Sequence, residues 1–339
     1  MLQGPIPPPQ RITEIAYGFW QSKALFSAIE LNVFTILADG SLGLGTLTSR
    51  VGIHQRGARD FLDALVALGI LDRDAEGHYS NTPESDLYLV EGKPTYIGAH
   101  LKHLNARHYQ NWAMLTRALV SGEPQSTLGK GNYNTLYADE TQQELFLSGM
   151  TAGTLLAART LAKNFPWNRY QSLMDVGTAQ GCLPVEIARV HPHLRAGGFD
   201  LPTVEPVFAG YVTSHGMSDR VTFHPGDFLV DQLPTADVLV MGRILHNWDD
   251  TIRTMLLSKA YRAVAPGGAL IVYDPLIGAE RRNDPHGLLS SLNMLIETPG
   301  GSEYTVTECQ EWMTQAGFEQ IKAERLLDMH TAVIGLKLH

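Results

Sequence analysis

The chain has 339 residues, 44% of them hydrophobic and 18% charged, and its 35 acidic against 26 basic side chains leave a formal net charge of -9. This composition excludes a disordered tail or a collagen-like repeat, and the length favours two domains of about 150 residues each. The acidic balance argues against nucleic acid or an anionic membrane as bulk partners, because a polyanion binder needs a basic surface.

Cys182 and Cys309 stand far apart, with no CxxC or Cys/His spacing, so neither a disulfide framework nor a structural zinc site is expected. The opening residues, Met-Leu-Gln-Gly-Pro-Ile-Pro-Pro-Pro, have no basic n-region and no apolar run. No stretch approaches the ~18 uninterrupted apolar residues of a membrane span. A cytoplasmic protein without membrane partners is expected.

From Ile12 to Leu37, Ile15, Phe19, Trp20, Leu25, Ile29, Val33, Phe34 and Leu37 recur at helical spacing over more than one face. A helix apolar almost all round must be buried, in a subunit interface or within its own chain, and the interface is the favoured reading. A second helix at Leu47–Gly52, a third over Arg56–Leu68 and a hairpin turning at Glu76-Gly77 form a winged-helix pattern. Residues 41–90 hold four Arg, no Lys and seven acidic residues, a poor footprint for DNA. Packing or dimerisation is the better use of this region. Further helices are expected over 95–121 and 138–163. His100 and His103, with His108 beyond, have no carboxylate ligand nearby, so no metal site is expected.

The character of the chain changes near Phe165-Pro166-Trp167, which divides it into domains 1–165 and 166–339. Beyond the break, apolar runs at Ser172–Val176, Ala196–Asp200, Val221–His224, Asp237–Met241 and Ala269–Tyr273 alternate with helices starting near Leu183, Val204, Thr251 and Thr307. That alternation predicts a doubly wound, mostly parallel α/β sheet covered on both faces. Phe318–Leu327 and Thr331–Leu338 read as two closing strands.

In such a sheet, ligands bind beyond the carboxyl ends of the strands. The first strand runs into Asp175-Val-Gly-Thr-Ala-Gln-Gly181, a GxxxG turn that brings backbone N–H groups near a ligand. It lacks the middle glycine of GxGxxG, which disfavours a nicotinamide cofactor. The second strand ends in Asp200, a ribose-hydroxyl acceptor or a turn aspartate. The third is followed by Gly226-Asp227-Phe228, an acceptor beside a flat ring that suits an adenine. Together they describe a nucleoside pocket without a phosphate grip.

The fourth strand runs into Gly242-Arg243-Ile-Leu-His246-Asn-Trp-Asp-Asp250, where Asp249 and Asp250 cap the next helix and His246 lies at the sheet edge. Either Asp274, at the end of the fifth strand, or Glu303 can orient its imidazole. Met150, Met294 and Trp112 either line a substrate cavity or pack the core.

The ordered set Asp175-Val-Gly…Gly181, Gly198-Phe-Asp-Leu-Pro202, Gly226-Asp-Phe228, Arg243-Ile-Leu-His-Asn-Trp-Asp249, Pro266-Gly-Gly268 and Pro299-Gly-Gly-Ser-Glu303 resembles the S-adenosylmethionine-dependent O-methyltransferases of the caffeate and acetylserotonin type, which include bacterial natural-product tailoring enzymes. The resemblance spans nearly the whole chain. It implies a class I methyltransferase fold preceded by a mostly helical winged-helix dimerisation domain, a homodimer, and transfer of a methyl group to a hydroxyl of a small aromatic molecule. It also implies His246 as general base, Asp274 and Glu303 as the acids that orient it, and Gly177, Asp200, Asp227, Phe228 and Arg243 as cofactor-binding positions. Two residues depart from the family pattern. Thr178-Ala179 stand where the family has glycines, and Asn247 replaces an aspartate after the histidine, which removes a charge that would stabilise the imidazolium. Carbon or nitrogen methylation, a non-methylating reaction on the same scaffold, and a ligand-binding winged-helix regulator are the alternatives.

Overall fold

The structure is a computed structural model that describes residues 7–126, 133–137, 139–326 and 329–339. The chain forms two compact units, one up to Ala106 and one from Arg107 onward.

In the first unit, α1 (Gln10–Glu30) and α2 (Val33–Ile36) replace the single helix expected to Leu37. The break is at Asn32, whose φ of 54° is left-handed and stops the helix. Only the C-terminal half of α1 enters this unit's core, through Ala28 and Ile29, while Ile12, Ile15, Phe19 and Trp20 are exposed, Trp20 at 58%. Then come β1 (Leu42–Gly43), α3 (Leu44–Val51), α4 (Gln55–Ala67), β2 (Leu71–Arg73) and β3 (His78–Asn81), in an antiparallel sheet of order β1-β3-β2. The hairpin turns at Gly77, whose φ of 86° needs a glycine. Helix α4 buries Ala58, Leu62 and Leu65 on one face, the i, i+4, i+7 spacing read from the sequence. Helices α5 (Pro83–Leu89) and α6 (Gly98–His103) complete the unit.

The second unit opens with α7 (Tyr109–Asn111), α8 (Leu115–Ser121), α9 (Tyr133–Tyr137) and α10 (Glu140–Asn164). By length and composition alone α10 is apolar enough to cross a membrane, yet half of its most apolar stretch is buried inside the chain. It packs through Ala157, Ala158 and Leu161 against α11 (Cys182–Val190). The compact units therefore divide at Ala106/Arg107 and not near residue 165. A change of periodicity marks where the sheet begins, whereas α10 already belongs to the layer that covers it.

The sheet consists of β4 (Ser172–Val176), β5 (Arg195–Asp200), β6 (Val221–Pro225), β7 (Ala236–Gly242), β8 (Val264–Asp274), β9 (Glu319–Arg325) and β10 (Thr331–Leu336), interleaved with α11, α12 (Glu205–Ser214), α13 (Asp250–Ala263), α14 (Pro285–Glu297) and α15 (Val306–Ala316). Its order is β6-β5-β4-β7-β8-β10-β9, parallel from β6 to β8 and antiparallel through β10 and β9. Alternate side chains point to opposite faces. Leu173, Val238, Val240 and Ile271 pack with α10 and α11, and Met174, Leu239, Met241 and Leu270 pack with α13 and α15. The chain leaves β4 in one direction for β5 and β6 and returns to its other side for β7. The carboxyl ends of β4 and β7 therefore flank the point where strand order reverses. The end of the expected strand at Leu327 lies outside the described residues.

Candidate active site

Beyond β4 the chain turns through Gly177 (φ 75°), Ala179 (φ 51°) and Gly181 (φ 88°), all left-handed. A Cβ on Gly177 would lie 2.3 Å from Ile244 Cδ1, so only glycine fits there. The loop amides are not free, as the sequence suggested. Gly177 N and Thr178 N donate to Phe199 O at 2.8 and 3.3 Å, and Ala179 N donates to Asp200 Oδ2 at 2.8 Å. The edge of β5 thus holds the loop. Thr178 is buried against Gly198, where a Cβ would come within 2.5 Å of Thr178 Cγ2, so the threonine is accommodated by a glycine on the neighbouring strand.

Asp200 also accepts from Leu201 N through Oδ1 at 2.8 Å. Burial pushes its carboxyl up to about 6, against the pull of the two backbone donors. Behind it, burial raises Asp175 to about 7. Asp227 Oδ1 accepts from Leu229 N, and Phe228 packs edge-on against Trp248 at 6.0 Å. Arg243 has a left-handed φ of 58°, and its amide donates to Tyr273 O. Its Nε is buried with no hydrogen-bond partner among the described residues.

His246 sits in the short helical turn Leu245–Asn247 after β7 and is 4% exposed. Its Nδ1 lies 2.8 Å from Glu303 Oε1 and 3.8 Å from Asp274 Oδ1. Only Glu303 is within hydrogen-bond distance, so Nδ1–H donates to Glu303 and Nε2 carries the free lone pair. Burial lowers the imidazole pKa, but the charges of Glu303 and Asp274 outweigh it and hold the group above its ordinary 6.5, with Arg243 opposing them. Burial pushes Asp274 up to about 6, countered by His246. Asn247 donates through Nδ2 to Arg243 O at 2.9 Å and Ile244 O at 3.2 Å, bonds an aspartate cannot make. Asp249 caps α13 by accepting from Ile252 N, as its position predicted.

Helix α14 supplies residues that sequence reasoning missed. Ser290 donates to Glu303 Oε1 at 2.7 Å, so the carboxylate is held from two sides. Farther along the helix, Asn293 accepts from Trp112 Nε1, and Glu297 accepts from Arg107 Nη2 at 2.6 Å and Asn111 Nδ2 at 2.8 Å. Residues 290, 293 and 297 recur at helical spacing, a signal that was available but polar and therefore unremarked. Met294 is buried on the same helix. Met150 is half-buried on α10, next to Thr151, whose hydroxyl donates to Gln180 Oε1 in the loop after β4. Tyr133 and Tyr137 of α9 cluster with Phe146 at about 6 Å, and burial pushes Tyr133 up to about 12. Arg107, Asp200, Glu297 and Arg243 all act electrostatically on that phenol. Among the described residues no three His, Cys, Asp or Glu side chains converge as a metal site.

The strand-end carboxylate, the unpartnered Arg243 Nε and the glycine-only turn at Gly177 are chemically suited to a cationic, amino-acid-bearing nucleoside. Comparison with known proteins agrees. Residues 112–319 match the O-methyltransferase domain family, and residues 13–91 match the O-methyltransferase dimerisation domain family. The chain is 43% identical to the tetracenomycin polyketide synthesis 8-O-methyl transferase TcmO of Streptomyces glaucescens, over 97% of each chain. It is 35% identical to the N,N-dimethyltransferase OxyT of Streptomyces rimosus, over 95% of this chain and 94% of that one. The crystal structure of human N-acetylserotonin methyltransferase in complex with S-adenosylmethionine superposes with a TM-score of 0.90 at 27% identity, covering 99% of both chains. The two matching family models and the 43% identical relative show that the chain belongs to the S-adenosylmethionine-dependent O-methyltransferase family, in its natural-product branch.

Proposed function

We propose that the enzyme methylates a phenolic hydroxyl of a small aromatic natural product, with His246 as general base. The observation that carries this reading is the buried His246–Glu303 pair, with Nε2 left free at the carboxyl edge of the sheet. A polyketide-acting relative at 43% identity supports an aromatic acceptor of that class.

Gly177, Asp200, Asp227, Phe228 and Arg243 would hold the cofactor. Asp200 keeps a second lone pair on each oxygen for ribose hydroxyls, and Arg243 Nε offers a donor that has no partner in the protein. When bound, S-adenosylmethionine supplies a methyl group already activated on a sulfonium. The chain's own work is then to align the acceptor and remove its proton. Alignment is worth ~7–11 kcal/mol at best, and a positioned base ~10²–10⁴-fold.

A phenol with a pKa of about 10 is within reach of an imidazole, whereas an alkyl alcohol is not. As the proton arrives at Nε2, Glu303 stabilises the imidazolium through Nδ1, and Asp274 adds a second charge nearby. Because these charges raise the imidazole pKa, the neutral, working form is lost as pH falls through a value above 6.5. Met294 and Met150 would supply apolar surface to the acceptor.

The unit up to Ala106 serves dimerisation, and the exposed Ile12, Ile15, Phe19 and Trp20 are the surface a second copy would cover. The unit from Arg107 is catalytic, α10 included. Two buried, unpaired cysteines fit a reducing, cytoplasmic compartment.

The test is transfer of labelled methyl from S-adenosylmethionine to a panel of hydroxylated naphthalenes and anthraquinones, with position assigned by mass spectrometry. O-methyl phenols that vanish with His246→Ala are the expected result. The 35% relative named as an N,N-dimethyltransferase favours amine methylation as the second reading. Label appearing only on amino-substituted members of the panel would select it.

A further inference from the structure

Helix α13 carries a guanidinium that the methyl-transfer chemistry does not itself use. Arg253 is 3% exposed, although it lies in the first turn of the helix, where a cation opposes the helix dipole. Its donors diverge. Nε donates to Leu245 O at 3.0 Å, Nη1 to Asp250 Oδ1 at 2.9 Å, and Nη2 to Ser302 O at 2.5 Å and Ser302 Oγ at 3.1 Å. The ring centres of Tyr304 and Trp312 stand 5.0 and 5.2 Å from its central carbon. Tyr304 in turn donates to Asp274 Oδ2 at 2.5 Å.

Three of these partners, Leu245, Ser302 and Tyr304, are each one step from a member of the proposed base cluster. Leu245 precedes His246, Ser302 precedes Glu303, and Tyr304 both follows Glu303 and bonds Asp274. The Leu245–Asn247 turn and the Ser302–Tyr304 loop are two separate segments, and no main-chain hydrogen bond joins them directly among the described ones. We propose that Arg253 is a positioning residue for the base: one planar fork ties the His246 turn to the Glu303 loop and, through Tyr304, sets Asp274. The planar, five-donor geometry is what this task requires, since a single ammonium has no rigid divergent fork. The inference rests on His246 being the base, and it concerns how that base is held.

The groups facing His246 are Glu303 from the loop before α15, Asp274 from the end of β8 and Arg243 from the end of β7. If Arg253 keeps Glu303 on Nδ1, its loss lets the carboxylate withdraw, and the imidazole then titrates at lower pH. If Arg253 acted only by its charge, removing that cation would shift the titration upward. A merely structural role would leave it where it was.

The experiment is NMR titration of histidine-labelled full-length protein saturated with S-adenosylhomocysteine, with the His246 signal assigned by its absence in His246→Asn. The expected result for Arg253→Met is a downward shift of at least about half a pH unit. An unchanged or upward-shifted titration overturns the proposal. Where Arg253→Met does not bind S-adenosylhomocysteine, Arg253→Lys takes its place and is read by the same rule, a downward shift supporting the proposal and anything else overturning it. No acceptor is involved, so failure here is distinct from failure of labelled-methyl transfer by the unmodified enzyme.

Discussion

The two sides of the site are built by different means. On the proposed cofactor side, the turn after β4 is held through its main-chain amides: Gly177 N and Thr178 N donate to Phe199 O, and Ala179 N donates to Asp200 Oδ2. On the proposed base side, His246, Asp274 and Glu303 come from three separate segments; main-chain bonds from Arg243 N to Tyr273 O and from Ile277 N to Tyr304 O tie those segments, and the three functional groups themselves approach one another through side chains. A turn held through its main-chain amides leaves its side chains freer to vary, and Thr178 and Ala179 stand where the family pattern has glycines. A side-chain-held site depends on each group that orders it, and it buries two carboxylates that must be neutralised by neighbours.

That contrast can be broken experimentally. The largest effect is expected from His246→Ala: turnover falls ~10²–10⁴-fold while S-adenosylhomocysteine affinity, measured by calorimetry, changes less than about twofold. A comparable loss of affinity would mean that the two sides are not separable. Next, Asp200→Asn should weaken S-adenosylhomocysteine by roughly 10–100-fold, because a charged acceptor is lost. In the unmodified protein the same affinity should decline as pH drops below about 6, where Asp200 takes up a proton. That decline should be absent from the asparagine variant.

Glu303→Gln should lower turnover by about tenfold and move the acid limb of the kcat–pH profile downward. The sign follows from the glutamate charge, which holds the His246 pKa up in the folded enzyme. An acid limb that stays in place would show that Asp274 alone sets the imidazole. The smallest effect is expected on the backbone-held side. Ala179→Gly relieves a left-handed alanine worth ~1 kcal/mol and should raise the melting temperature by about 1–3 °C. A fall would mean that the alanine is favoured by packing that φ does not reveal.

Much of the fold was legible because its signals are local. The alternating apolar runs located β4 to β8 to within a few residues, since burial on both faces leaves a continuous apolar strand. Sequence reasoning erred where packing overrides pattern. Asn32 interrupts a helix whose apolar spacing continues past it, and α10 joins the sheet layer although it precedes the change in periodicity. On the proposed cofactor side, strand ends a few residues from their glycines singled out Gly177 and Asp200, whereas Arg243 was named only through the family resemblance. The base side was only half legible. His246 and the two acids stood out by type and place, but Ser290, Tyr304 and Arg253 did not.

The sequence by itself determined the doubly wound sheet, the helical region before it and the set of strand-end groups, because these follow from period, glycine placement and capping. Only the tertiary structure decided that Glu303, and not Asp274, accepts the hydrogen bond from Nδ1–H, at 2.8 against 3.8 Å. The reason is physical: hydrogen-bond energy depends on tenths of an ångström between segments far apart in the chain, and no local pattern encodes that distance.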